Sequence, residues 1–123
     1  MKGFRDREDE EIDEIIRYIN EECNRGAGIL VEGVSDREAL LTRGVRGRIL
    51  TLHELYGVVK NDVGGLRLIT LLDLDREGES ILRRLEARFS NFLRLDHSAR
   101  MRLRKTMKYR RGLRTIHQIF MSP

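Results

Sequence analysis

Leu66-Arg67-Leu68-Ile69-Thr70-Leu71-Leu72-Asp73-Leu74-Asp75-Arg76-Glu77-Gly78 is the stretch that decides the fold. A nearly unbroken apolar run ends in two carboxylates one residue apart. Such a run reads as a strand buried on both faces, as in a parallel sheet. From Glu77 the period becomes helical, with Gly78, Ile81, Leu82, Leu85 and Phe89 on one face. Asp73 and Asp75 therefore stand where a buried strand turns toward a helix. In open α/β sheets ligands bind at that carboxyl end. Two carboxylates there repel each other and lose hydration, so a positive charge is expected to offset them. A hard divalent ion such as Mg2+ meets that need.

The same geometry occurs earlier in the chain. Ile29-Leu30-Val31 reads as a short buried strand closed by Glu32-Gly33. Ser35-Asp36-Arg37-Glu38 follows as a predicted capping box, with Ser35 the cap and Glu38 three residues on. The helix it opens runs to about residue 43, with Ala39 and Leu40 inward. Upstream, residues 6–23 read as an amphipathic helix striped by Ile12, Ile15, Ile16, Ile19 and Cys23, its acids on a solvated face. Residues 24–28 form the turn that follows.

Downstream of that unit, residues 47–52 predict a strand. Residues 53–61 fit either a short helix or a turn with Val58-Val59 extended, and residues 62–65 a loop. Phe92-Leu93-Arg94-Leu95 predicts a fourth strand at an edge of the sheet. Residues 98–108 read as one basic helix with Ala99, Leu103 and Met107 on a common face, ended by Gly112. Thr115-Ile116-His117-Gln118 is a further capping box, opening a terminal helix with Ile116, Ile119 and Phe120 inward.

At 123 residues the chain predicts one domain: an acidic leading helix over 1–28, a core over 29–95 and basic helices over 96–123. A single cysteine, Cys23, excludes an internal disulfide, and three histidines are too few and scattered for a zinc site. The acidic start has no apolar core of a signal peptide, and no apolar run approaches membrane-spanning length. These features predict a cytoplasmic protein. The net charge of +4 conceals an asymmetry. Residues 5–22 hold nine acids against three bases, whereas residues 94–114 hold nine Lys and Arg against one acid, Asp96. Basic density of that kind suggests either a polyanion partner or a solvated helix face.

Val31-Glu32-Gly33, Asp36 and Leu72-Asp73-Leu74-Asp75-Arg76, in this order at strand ends, resemble the Toprim domain. That domain is shared by topoisomerases, bacterial-type primases, the 5S ribosomal RNA maturation nuclease, and recombination-repair and OLD-type proteins. The chain is most similar to the small stand-alone Toprim proteins of archaea, over about residues 12–120. The resemblance implies a compact, mostly parallel four-stranded α/β sheet flanked by helices, with metal at the strand ends. It implies that Glu32 acts in acid–base chemistry and metal binding, and that Asp73 and Asp75 coordinate one or two Mg2+ ions. Arg76 and Gly78 belong to the same turn. Tyr18, Tyr56 and Tyr109 have no context for a strand-attacking tyrosine, so a topoisomerase is not expected. Nor is there room for a primase's additional domains.

Beside a non-nucleic substrate, two functions on nucleic acid remain open from the sequence. One is a Mg2+-dependent nuclease or related phosphotransferase. The other is a non-catalytic nucleic-acid-binding or assembly module that keeps the fold. In either, the expected contacts to RNA or DNA are Arg76, Arg100, Arg102, Arg104, Lys105, Lys108, Arg110 and Arg111. That segment lacks interleaved aromatics, so it offers no evident base stacking. A phosphatase with an aspartyl nucleophile would use Asp-x-Asp differently. It usually carries Thr or Val two residues after the second Asp, where this chain has Glu77.

Overall fold

Four short strands pair entirely in parallel. The structure, a computed structural model, describes residues 3–60 and 65–123. The strands are β1 (Gly28–Val31), β2 (Ile49–Thr51), β3 (Leu66–Thr70) and β4 (Leu93–Asp96), in the order β2-β1-β3-β4. Ile29 pairs with Ile49 on one side and Ile69 on the other, and Leu68 pairs with Leu95. The helices are α1 (Phe4–Asn24), α2 (Val34–Thr42), α3 (Leu52–Lys60), α4 (Arg76–Phe89), α5 (Ser98–Leu103), α6 (Met107–Arg110) and α7 (Ile116–Met121). Among the described residues no helix is long and apolar enough to cross a membrane.

Side chains alternate across a strand, so each strand feeds two cores. Ile29, Val31, Ile69 and Leu71 pack against apolar residues of α1, α2, α5 and α7. Leu30, Leu50, Leu68 and Leu72 pack against those of α3 and α4. Covering both faces is what makes the strands read as continuous apolar runs. β4 lies at an edge of the sheet, as Arg94 suggests.

The structure corrects several local expectations. The cap of α2 is Gly33, not Ser35, and Asp36 accepts a hydrogen bond from the Gly33 N–H at 3.3 Å. Asp36 thus takes the reciprocal role assigned to Glu38, which is exposed. Leu52 opens α3 and does not extend β2. Residues 52–60 are helical, because Leu55, Val58 and Val59 bury against the second core at helical spacing. The loop predicted at 62–65 lies, apart from Gly65, outside the described residues. The single basic helix over 98–108 is two helices. Thr106 separates them, its hydroxyl capping the Tyr109 N–H.

The charge asymmetry of the sequence is partly resolved inside the fold. Helix α1 packs against α5 and α6. Glu8, only 2% exposed, accepts from Arg111 Nε at 2.7 Å and Nη2 at 3.2 Å. Glu11 accepts the Met107 N–H at 2.9 Å, and Arg102 lies over the Tyr18 ring at 4.0 Å. Glu8 is therefore not on the solvated face expected for the acids of α1. A buried carboxylate needs a paired cation, and Arg111 supplies it.

Candidate metal centre at the strand ends

β1 and β3 are neighbours, and the Leu71 N–H still donates to the Leu30 carbonyl at 2.8 Å. Beyond that bond the chain leaves the ladder, and Glu32 and Asp73 emerge side by side. The Asp73 N–H donates to Glu32 Oε1 at 3.3 Å. Asp73 Oδ1 accepts the Ile116 N–H at 2.8 Å, from the start of α7. Asp75 caps α4, its Oδ1 accepting the Gly78 N–H at 2.8 Å. One oxygen of each carboxylate is thereby fixed in place. No donor among the described residues holds the second oxygen of any of the three.

Two further groups join this edge. Asp36, in the first turn of α2, accepts the Gly33 N–H, and His117 of α7 lies close enough to act on its carboxyl. Arg100 is 4% exposed and holds the strand-end loop from behind. Its Nε donates to the Leu72 carbonyl at 3.0 Å, its Nη2 to the Asp73 carbonyl at 2.7 Å, and its Nη1 to Glu79 at 2.8 Å. On the far side of the loop, the Leu74 N–H donates to the Arg114 carbonyl at 2.7 Å. Gly78 closes the turn: a methyl group there would sit 2.0 Å from the Asp73 carbonyl oxygen. At Gly33 an added methyl would meet nothing within 4 Å, so the space before the Glu32 turn is open.

The carboxylates act on one another. Burial pushes the Glu32 carboxyl up from 4.5 to about 7, and the charge of Asp73 adds to this. The Asp73 N–H pulls it back, while Asp75 and Asp36 push further. Asp36 is raised too, first by burial and then by Asp73. The donors are all oxygen, which suits Mg2+ and not zinc or copper. Among the described residues, however, no three Asp, Glu, His or Cys side chains stand close enough together to hold a metal ion. The three expected ligands share an edge and an electrostatic field without closing a cage. A Mg2+ ion held by one or two carboxylates, with waters and substrate phosphates completing its shell, would not require such a cage.

Two of the expected nucleic-acid contacts are corrected. Arg100 is the buried clamp just described. Lys108 is 1% exposed, its Nζ donating to the Ile119 carbonyl at 2.7 Å and the Ser122 carbonyl at 2.6 Å. Neither presents a charge to a surface phosphate. Arg111 is engaged by Glu8, and Arg104 shares Glu79 with Arg100. Arg76, Arg102, Lys105 and Arg110 remain exposed.

No family model matches the chain. A UPF0292 protein of Methanosarcina acetivorans is 31% identical to it over 86 residues, which is 68% of this chain. The chain covers 60% of that relative's length. A solved structure from Aquifex aeolicus aligns with a TM-score of 0.67 at 26% identity, over 87% of this chain and 96% of the other. That protein shares the α/β fold.

The raised Glu32 pKa has a consequence for stability. The fold favours the protonated carboxyl. That stabilisation is full below the ordinary value of 4.5 and is lost as the pH rises through about 7. In EDTA, the Tm of the wild type is expected to fall more steeply than that of Glu32→Gln between about pH 5 and about pH 8. Thermal melts at matched ionic strength check this, and parallel curves would contradict the Glu32 environment described.

Proposed function

We propose that this chain is a Toprim-like domain carrying out Mg2+-dependent phosphodiester chemistry on nucleic acid, as a nuclease or related phosphotransferase. The observation that supports this reading best is Glu32. It is a carboxyl with a pKa of about 7 beside Asp73 and Asp75, at the ends of adjacent parallel strands. A bound divalent cation would lower this value again, so a proton-transfer role for Glu32 rests on its position beside Asp73. Glu32 can hold or release a proton at its second oxygen while its first stays on the Asp73 N–H. Asp73 and Asp75 would each have one oxygen left for the cation. When bound, Mg2+ would polarise a phosphate and stabilise charge developing on its oxygens. Arg76, exposed at the rim, would take a neighbouring phosphate. Arg102, Lys105 and Arg110 supply further cations on the surface.

A second reading has one observation in its favour. The three carboxylates do not converge into a cage among the described residues, as a non-catalytic binding or assembly module would allow. A cleavage panel separates the two. Labelled folded RNA, single strands and duplex DNA are incubated with the protein in Mg2+ or in EDTA. Cleavage of at least one substrate in Mg2+, and of none in EDTA, is expected. No cleavage of any substrate would leave the binding module as the better account.

A further inference from the structure

A groove of about 430 Å³ runs between α3 and α4, on the sheet face opposite the basic C-terminal helices. Its floor is apolar, with Ile81, Leu85 and Phe89, and its wall is Tyr56. Tyr56 is 42% exposed, and its ring tilts against that of Phe89 with centroids 5.9 Å apart. The Arg88 guanidinium lies over both rings, 5.7 Å from the centre of Tyr56 and 5.2 Å from that of Phe89. Arg84 lines the same groove. Among the described residues neither arginine pairs with a carboxylate. The reason lies on the other side of α4. There Arg100 and Arg104 take up Glu79, and His97 takes up Glu86. The remaining acid of α4, Glu77, sits in the first turn. Among the described residues, the α3 side of the helix is left with arginines that have no carboxylate partner, beside an open aromatic ring.

From this arrangement we propose that the α3–α4 groove is a docking site for single-stranded nucleic acid. One unpaired base stacks on Tyr56, and the flanking phosphates are held by Arg84 and Arg88. Stacking on an exposed ring needs an unstacked base, which a single strand offers and a duplex does not. Arginine serves either as a stacking plane or as a phosphate fork, so Arg88 can leave the ring for the backbone when a base arrives. The groove shares helix α4 with the candidate metal centre. Asp75 caps α4, and at 1.5 Å per residue Arg84 and Arg88 lie about 12 and 18 Å along the helix from Arg76 at the rim. The choice of partner rests on the nucleic-acid reading above, but the groove itself is independent of catalysis.

The test is fluorescence anisotropy of a labelled oligo-dT and an oligo-U, in EDTA, over a range of salt. Tyr56→Ala is expected to weaken binding by about 5- to 150-fold, and Tyr56→Phe to keep it close to wild type. The double variant Arg84→Gln/Arg88→Gln, both positions being exposed, is expected to flatten the log-affinity against log-salt slope by about 1.4. It also keeps the test open if Tyr56→Ala does not fold. No binding by the wild type, or an unchanged slope in the double variant, overturns the proposal. So does a folded Tyr56→Ala that binds like the wild type. Because no metal is present, failure here says nothing about cleavage, and failure of the cleavage panel leaves this result standing.

Discussion

Glu32→Gln is expected to lower Mg2+-supported turnover by about 10²–10⁴-fold, the range that a positioned acid or base typically contributes. Nucleic-acid affinity should stay nearly unchanged. The glutamine keeps the size of the side chain and an oxygen for the Asp73 N–H, so the strand-end loop retains its anchor. It lacks the transferable proton and the negative charge. The same change removes the charge that burial and the neighbouring carboxylates disfavour, so the metal-free fold should be no less stable near neutral pH. Lost turnover with undiminished Tm therefore points to chemistry and not to folding. The comparison is made under single-turnover conditions at saturating Mg2+, where weakened ion binding cannot imitate lost proton transfer. Wild-type rates in the variant would remove Glu32 from the mechanism.

Gly78→Ala carries the largest expected cost in stability. By helix propensity alone alanine should gain up to about 1 kcal/mol over glycine inside α4. Here its methyl would stand 2.0 Å from the Asp73 carbonyl oxygen and 2.9 Å from the carbonyl carbon, both backbone atoms. The loop cannot retreat freely. Arg100 holds the Leu72 and Asp73 carbonyls, and Arg114 holds Leu74. Overpacking of this kind costs about 1–3 kcal/mol or more, which exceeds the propensity gain. A net cost of about 1–2 kcal/mol corresponds to a fall in Tm of about 4–8 °C for a chain of this length. Because the displaced atoms carry Asp73 and Asp75, activity should fall with it. A Tm equal to or above that of the wild type would mean that the turn is looser than described.

The sheet was legible because it is buried on both faces. Leu68 to Leu72 alternate between two cores, and that demand writes an unbroken apolar run that can be read directly. The strand-end acids were legible for the complementary reason: Glu32, Asp73 and Asp75 interrupt such runs where nothing in the packing requires a charge. What was not legible depends on partners far away in the chain. Arg100 and Lys108 look like surface cations in a basic helix, and only tertiary contacts to the Leu72, Asp73 and Ile119 carbonyls bury them. Glu8 reads as one acid among many until Arg111, 103 residues on, covers it. His117 has no local signal linking it to Asp36. The groove at Tyr56 was not legible because its two sides come from different helices, one of which the sequence leaves open between a short helix and a turn with Val58-Val59 extended.

Calorimetric titration of Mg2+ into the wild type and into Asp73→Asn is the most direct measurement of the central claim, that the strand-end carboxylates form one divalent-cation site. Asp73 is the member that touches both other elements of the edge, with its N–H on Glu32 and its Oδ1 on α7. Asparagine preserves an oxygen for the Ile116 N–H and replaces the other carboxylate oxygen, and the charge, with a neutral amide nitrogen. The account predicts saturable binding of one or two ions by the wild type and its loss or marked weakening in Asp73→Asn. Equal Mg2+ binding by the two proteins, or none by the wild type, would contradict it.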